Sequence, residues 1–373
     1  MGRYKVCVYA ICKNEEKFVD QWMDSMSEAD LIVVTDTGST DGTVEKLRER
    51  GAVVYIDEVK PWRFDAARNI SLDHVPGDAD ICVCTDLDEL FQPGWRAVID
   101  RMWQSDTTTG EYLYNWSLHA DGTPYVQFHY SKIHSRKGFQ WKYPIHEWLQ
   151  WNGDTPQNTV FLEGVVLNHY PDKSKSRGSY LALLEMAVRE NPECSRMHYY
   201  LGREYTFNCE WSKCIDTLNT YLNLPTSTWN EERSAAMRLI AQSMHRLGRI
   251  QEAYSWYYRA VAEAPHMRDA YVEFAQMGYL LRDWPLTFCM AEEALKIKER
   301  SRSFINAGCA WDHTPDDLGA IACYWLGMYD LAAVHARAAL EKKPGDQRML
   351  DNLKLIEGRL KEKRNSISVT DAR

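Results

Sequence analysis

The stretch Ile81-Cys82-Val83-Cys84-Thr85-Asp86-Leu87-Asp88-Glu89 sets four apolar residues directly against an acidic cluster. A short apolar run bounded by polar residues reads as a strand buried on both faces. Carboxylates beside a buried strand are costly to desolvate without a compensating cation. As the strand ends, Asp86 and Asp88 at i and i+2 are expected on one side, offering oxygen ligands to Mg²⁺ or Mn²⁺, ions that complete their shell with water and substrate phosphates. Solvated acidic turns carry the same Asp-x-Asp spacing, so the surroundings of the motif have to decide.

Those surroundings repeat the pattern. Residues 4–11, 31–35, 52–56 and 80–85 read as strands. The intervening segments through Phe18, Trp22 and Met26, over 44–50 and over 64–72 read as helices. Strands separated by helices imply right-handed βαβ units and a mainly parallel sheet, whose ligands bind at the carboxyl ends of the strands. Lys13-Asn14-Glu15-Glu16, the loop Asp36-Thr37-Gly38-Ser39-Thr40-Asp41-Gly42-Thr43 and the acidic motif all fall at such ends. In the second loop Thr40 or Asp41 is placed to cap the following helix, Asp36 to accept hydrogen bonds from a base or ribose, and Gly38 to let backbone approach the ligand. Neither Gly-x-x-x-x-Gly-Lys-Ser/Thr nor Gly-x-Gly-x-x-Gly occurs here, which turns the reading away from nucleoside triphosphatases and dinucleotide folds.

Composition sets the outer bounds. The 373 residues favour two domains, and 44 basic against 53 acidic side chains leave a net charge of −9, which argues against a nucleic-acid-binding surface. Ten cysteines lie in apolar runs or helical patterns without zinc-site spacing. With no leader pattern and no apolar stretch of about 18 residues, the expectation is reduced thiols, no membrane span and a cytoplasmic location.

Taken in order, Cys12-Lys13-Asn14-Glu15-Glu16, Val34-Thr35-Asp36-Thr37-Gly38-Ser39-Thr40-Asp41-Gly42-Thr43, Phe64-Asp65-Ala66-Ala67-Arg68-Asn69 and Asp86-Leu87-Asp88-Glu89 resemble the opening of the family 2 glycosyltransferases of GT-A fold. The resemblance implies an α/β GT-A-type, Rossmann-like mixed sheet and sugar transfer with inversion from a nucleotide-diphosphate donor such as a UDP-sugar. By position, it places Cys12, Asn14, Glu15, Asp36, Gly38 and Ser39 around the nucleotide, Asp86 by ribose and metal, and Asp88 on the metal. Arg68 supports the acidic motif, meets the diphosphate, or makes a structural ion pair. Further on, segments 112–118 and 125–134 read as aromatic-rich strands suited to an acceptor groove. In Trp141-Lys142-Tyr143-Pro144-Ile145-His146-Glu147-Trp148, a His-Glu pair resembles that of the branch fused to helical repeats. It makes Glu147 the candidate general base and His146 the next, against an ordinary salt-bridged glutamate. Val165-Val166-Leu167-Asn168-His169-Tyr170-Pro171 resembles the closing segment of the family, with His169 completing a Mn²⁺ or Mg²⁺ shell. Lys173, Lys175 and Arg177 follow, placed to neutralise the departing diphosphate.

From about Ser179 helical periodicity takes over. Gly202, Ala241, Ala275 and Ala320 occupy equivalent positions spaced by 39, 34 and 45 residues, close to the tetratricopeptide period of about 34 with two insertions. The expected division is therefore 1–178 for the transferase domain, 179–363 for an all-α tetratricopeptide-like solenoid, and 364–373 for a loose tail. This architecture resembles the S-glycosyltransferases that modify bacteriocin peptides. It implies a peptide or protein acceptor; the leading reading adds an envelope glycan as a further acceptor class and leaves self-association through the repeats open. Two rivals stand beside it: a non-catalytic repeat adaptor carrying a degenerate transferase domain, and sugar transfer to a modified nucleic-acid base.

Overall fold

The apolar runs fold into a mixed sheet. In the computed structural model, which describes residues 2–172, 178–301 and 303–370, strands β1 (Val6–Cys12), β2 (Leu31–Asp36), β3 (Val53–Ile56) and β4 (Ile81–Cys84) are parallel in the order β3-β2-β1-β4. Helices α1 (Val19–Met26), α2 (Thr43–Glu49) and α3 (Phe64–His74) connect them. Every residue of β1 is buried, as a strand covered on both faces must be. Its side chains alternate between two cores: Val6, Val8 and Ala10 pack with Trp22 of α1, while Cys7 and Tyr9 pack with Leu72 of α3 and Trp141.

Beyond β4 the sheet is mixed. Here β5 (Glu89–Phe91) and α4 (Trp95–Met102) precede the long strands β6 (Thr109–Leu118) and β7 (Pro124–Ser135). A hairpin of β8 (Phe139–Lys142) and β9 (Trp148–Trp151) leads to β10 (Thr159–His169). The full order is β3-β2-β1-β4-β7-β6-β10-β5, with β10 parallel to β6 and the other pairings beyond β4 antiparallel. Helix α5 (Tyr180–Glu190) belongs to this first unit, which spans Met1–Pro192 with Arg302–Phe304.

A buried hydrogen-bond chain ties the second core together. The Trp141 indole N–H donates to the Tyr9 hydroxyl at 2.9 Å, and that hydroxyl lies 2.8 Å from His134 Nε2. The other ring nitrogen of His134 sits 2.7 Å from the Ser135 carbonyl, which only accepts, so the proton is on Nδ1 and Nε2 accepts from Tyr9. Burial pushes the His134 pKa down to about 4. The unfolded chain, with an ordinary value near 6.5, therefore binds a proton first as pH falls. Stability is full above about pH 6.5 and declines toward pH 4, by about 3 kcal/mol from this group. His134→Gln keeps a polar side chain but does not titrate, so melting temperatures of the two proteins should converge between pH 6.5 and 4; parallel curves would remove His134 as the source.

The second unit, Glu193–Ser301 with Ile305–Arg373, is helical. Antiparallel pairs α6 (Ser195–Phe207) with α7 (Trp211–Asn223), α8 (Asn230–Arg246) with α9 (Ile250–Glu263), α10 (Arg268–Leu281) with α11 (Trp284–Lys296), and α12 (Thr314–Trp325) with α13 (Tyr329–Lys342) stack in sequence. Small residues let paired helices close: a Cβ on Gly202 would stand 2.3 Å from the Leu218 side chain. Ala275 and Ala291 pack on Leu318, joining the third pair to the fourth. The widest of the expected insertions is the connection from α11 to α12, which holds a short 3₁₀ turn, Gly308–Ala310. The closing helix α14 (Gln347–Thr370) runs past Lys363 into the stretch expected to be a loose tail.

Candidate active site

Parallel pairing aligns Cys12 with Asp36, so the loops that leave β1 and β2 start side by side. They are laced together by hydrogen bonds. The Asn14 amide donates to Ser39 Oγ at 2.8 Å, Thr40 N to Asn14 Oδ1 at 2.8 Å, and Glu15 N to Thr43 Oγ1 at 2.8 Å. Asn14 takes the left-handed conformation (φ +54), as does Gly38 (φ +108), where a side chain would be strained. Asp36 is buried, and its carboxylate is engaged within the loop. Oδ1 accepts from Gly38 N at 3.0 Å and Ser39 N at 2.9 Å, and Oδ2 from the Ser39 hydroxyl and the Cys12 thiol. Neither Thr40 nor Asp41 is the N-cap of α2, which is Gly42; Asp41 accepts from Thr43 N at 3.1 Å in the turn that leads into the helix.

The acidic motif divides. A turn, with Glu89 N donating to Asp86 O at 3.0 Å, follows β4 and buries Leu87 in the core. That turn overrides the strand alternation expected to put Asp86 and Asp88 on one side. Asp86 faces two buried cations: Arg68 Nη2 lies 2.8 Å from its Oδ1 and Lys132 Nζ 3.4 Å from its Oδ2. Burial alone would raise the Asp86 pKa, but the Arg68 and Lys132 charges outweigh it and hold the carboxyl well below its ordinary range. Lys132 also reaches Glu89 at 3.3 Å, and Glu89 accepts from the Tyr114 hydroxyl at 2.8 Å. Sequence reasoning missed Lys132. Its only signal was a cation inside the aromatic strand of Tyr130 and Ile133.

Asp88 meets His169. Pairing of β10 with β5 sets His169 opposite Glu89, and Tyr170 N donates to Asp88 O at 2.8 Å. His169 Nδ1 lies 3.0 Å from the Trp116 carbonyl, so that nitrogen carries a proton and Nε2 faces Asp88 Oδ2 at 3.5 Å. Burial opposes protonation of His169, but Asp88 and the Trp116 carbonyl outweigh it and raise its pKa. A nitrogen aimed at a carboxylate oxygen, with its far side fixed by a backbone acceptor, suits a shared proton or a shared divalent ion. Among the described residues no set of three His, Cys, Asp or Glu is poised to hold a metal. Asp86, by contrast, is held by Arg68 and Lys132.

Arg68 connects this cluster to the second candidate. It is buried on α3, and its Nε donates to Glu147 Oε1 while Nη2 holds Asp86. Its guanidinium also stands 5.3 Å from the Trp141 ring. The segment before β9 delivers Glu147 through two left-handed non-glycine residues, Tyr143 (φ +75) and His146 (φ +50). Such conformations cost about 1–3 kcal/mol each and persist where surrounding structure demands them. Glu147 therefore joins the acidic motif through one guanidinium, whereas the His146 ring turns toward Tyr180, 6.2 Å away. Exposed Trp116, its ring 4.7 Å from His169, was not anticipated as a neighbour of the site. Lys173, Lys175 and Arg177 lie outside the described residues. A cavity of about 540 Å³ lined by Arg63, Asn69, Trp141 and Gln150, among others, includes none of Asp86, Asp88, Glu147 or His169.

Residues 7–124 match the family described as Glycosyl transferase family 2. No curated protein matches the chain. Among solved structures, the chain is similar to part of a TPR repeat-containing protein from Cytophaga hutchinsonii, with 14% identity over 50% of this chain and 67% of that one, TM-score 0.41. A TPR protein from Thermus thermophilus matches at 19% identity over 49% of this chain and 90% of its own, TM-score 0.32. Glucosyl-3-phosphoglycerate synthase from Mycobacterium tuberculosis, solved with Mn²⁺, UDP and glucosyl-3-phosphoglycerate, matches at 24% identity over 30% of this chain and 44% of that one, TM-score 0.26.

Proposed function

We propose that this chain, a glycosyl transferase of family 2 over residues 7–124, moves a sugar with inversion from a UDP-sugar to a peptide, protein or envelope-glycan acceptor. The observation that carries the reading is the meeting of Asp88 and His169 at 3.5 Å beside β4, with Arg68 linking the same motif to Glu147. The laced loops of Asn14 and Asp36 stand next to it along the strand order, where they offer the nucleoside a rigid edge. Mn²⁺ or Mg²⁺ held by Asp88 and His169 would supply charge neutralisation on the diphosphate. Glu147 takes the proton of the acceptor hydroxyl or thiol as that atom attacks the anomeric carbon. The bond from that carbon to the diphosphate oxygen breaks, and the electron pair leaves with UDP. Attack opposite the leaving group inverts the anomeric centre. The ten cysteines are all free, consistent with a reducing cytoplasm, and no helix among the described residues is long and apolar enough to cross a membrane.

Calorimetric titration of UDP-glucose and UDP-N-acetylglucosamine with Mn²⁺, and again with chelator, tests the reading. Binding should require the metal. Changes around a metal ligand already cost about 10–100-fold in affinity, so Asp88→Ala, which removes a ligand outright, should weaken metal-dependent binding at least about a hundredfold. Equal affinity in wild type and Asp88→Ala would reject the ligand. Absence of binding and of donor hydrolysis under every condition would favour the non-catalytic adaptor.

A further inference from the structure

Helix α3 gives the site more than Arg68. The next residue, Asn69, commits both ends of its carboxamide to one residue of β8. Nδ2 donates to the Trp141 carbonyl at 2.9 Å, and Oδ1 accepts from the Trp141 N–H at 2.9 Å. Strands β8 and β9 form a two-stranded sheet, so the other edge of β8 carries backbone groups that no strand satisfies. A primary amide brings a donor and an acceptor on a short stem, and Asn69 thereby takes the place of a neighbouring strand. Near the start of α3, the Phe64 N–H donates to the Pro144 carbonyl at 3.0 Å; the first amides of a helix have no partner within it. The chain is therefore pinned to α3 at Trp141 and again at Pro144. That helix is itself tied to β1, where Ser71 Oγ donates to the Ala10 carbonyl at 2.9 Å.

What these bonds hold is the segment that delivers Glu147. Between Trp141 and Glu147 stand Tyr143 and His146, both left-handed, and such backbone persists where its surroundings hold it. Arg68 grips the Glu147 carboxylate, and Asn69 grips the backbone at Trp141. Adjacent positions on one helix thus fix the two ends of this segment relative to each other. Asn69 is half-buried and lines the cavity beside β8, where water could satisfy the same backbone groups. What the carboxamide adds is a fixed position. A proton acceptor depends on that, because it works only within hydrogen-bond reach of the proton, and a misplacement of about 1 Å can cost about a hundredfold.

We propose that Asn69 is a positioning residue for Glu147: its two bonds to the Trp141 backbone set the path of the 141–147 segment and so the placement of the base. The inference rests on the transferase reading, in which Glu147 takes the acceptor proton.

A double-mutant cycle on the full chain tests it, with Mn²⁺, UDP-glucose as donor and water standing in for the acceptor. Glu147 then takes a proton from the water that attacks the anomeric carbon, and UDP leaves. Asn69→Ala should lower the single-turnover rate by about tenfold to a hundredfold, with the donor dissociation constant within about twofold of wild type. In the Glu147→Gln background the same substitution should change the rate by less than about threefold, because a group that cannot accept a proton loses nothing further by being misplaced. Equal losses in both backgrounds would overturn the proposal and leave Asn69 a general support of the unit. Asn69→Asp, which keeps the acceptor for the Trp141 N–H and loses the donor, should show a smaller loss that also vanishes with Glu147→Gln, and it runs the same cycle should the alanine variant not fold. Hydrogen exchange needs no turnover: peptides over 139–149 should exchange at least about tenfold faster in Asn69→Ala, while those over β1 and β4 stay protected. Unchanged protection of 139–149 would overturn the proposal too. Glu147→Gln alone keeps the two readings apart. Undiminished hydrolysis in that variant removes the base itself, whereas slow Glu147→Gln beside an unimpaired Asn69→Ala removes only the role of Asn69.

Discussion

Glu147→Gln should leave UDP-sugar binding within a few-fold of wild type and reduce transfer by about a hundredfold to ten-thousandfold, the span usual for loss of a general base. The substitution is nearly isosteric. Its amide oxygen can still accept from Arg68 Nε, the contact that now holds the carboxylate. Arg68 keeps Asp86 as its second partner, so the guanidinium is not left uncompensated. What disappears is the capacity to take a proton. Single-turnover measurement with donor pre-bound would separate this from a binding defect: chemistry slows while the donor dissociation constant holds. Turnover near wild type would remove Glu147 from the mechanism and return it to the ordinary salt-bridged role. His146 would then be the next group to examine, although its ring faces Tyr180.

Which parts were legible beforehand follows from how far apart the contacting residues are. Strands β1 to β4 announce themselves because burial on both faces forces continuous apolar runs, and their polar tips mark the carboxyl ends of the sheet. The helix pairs are equally readable, since each Gly202- or Ala275-type contact lies within a repeat or between neighbours. In contrast, β5 is three residues long and exists through its pairing with β10, about 78 residues further along the chain. Nothing local to Glu89, Leu90 and Phe91 encodes that partner. The division of labour between Asp86 and Asp88 was hidden for a related reason. The turn after β4 forms because Leu87 is drawn into the core, and Asp86 points to a lysine delivered by another strand. A buried lysine with distant carboxylates is invisible to any pattern read along the chain.

That same network makes Arg68 the most sensitive position in the first unit. Arg68→Met should lower the melting temperature of this unit by about 5–10 °C, equivalent to about 3 kcal/mol. The argument rests on what the substitution leaves behind. Glu147 loses the guanidinium, and Asp86 keeps Lys132 alone at 3.4 Å, a cation it shares with Glu89. Removing one member of a buried ion network strands the others, which costs about 3–5 kcal/mol when they are fully buried. The Asp86 side chain is 36% exposed and can recruit water, which places the estimate at the lower end. The pH dependence supplies a signature that lost packing would not. With its folded pKa held below the unfolded value chiefly by Arg68, Asp86 contributes stability above about pH 4, and that stability is lost as acidity approaches the lowered pKa. Arg68→Met should therefore flatten the acid limb of the stability profile as well as lower its plateau, while Arg68→Lys, which restores charge without the two-sided fork, should recover part of each. A plateau lowered with the acid limb unchanged would mean that Arg68 matters as a filler against Trp141 and not as the bridge between Asp86 and Glu147.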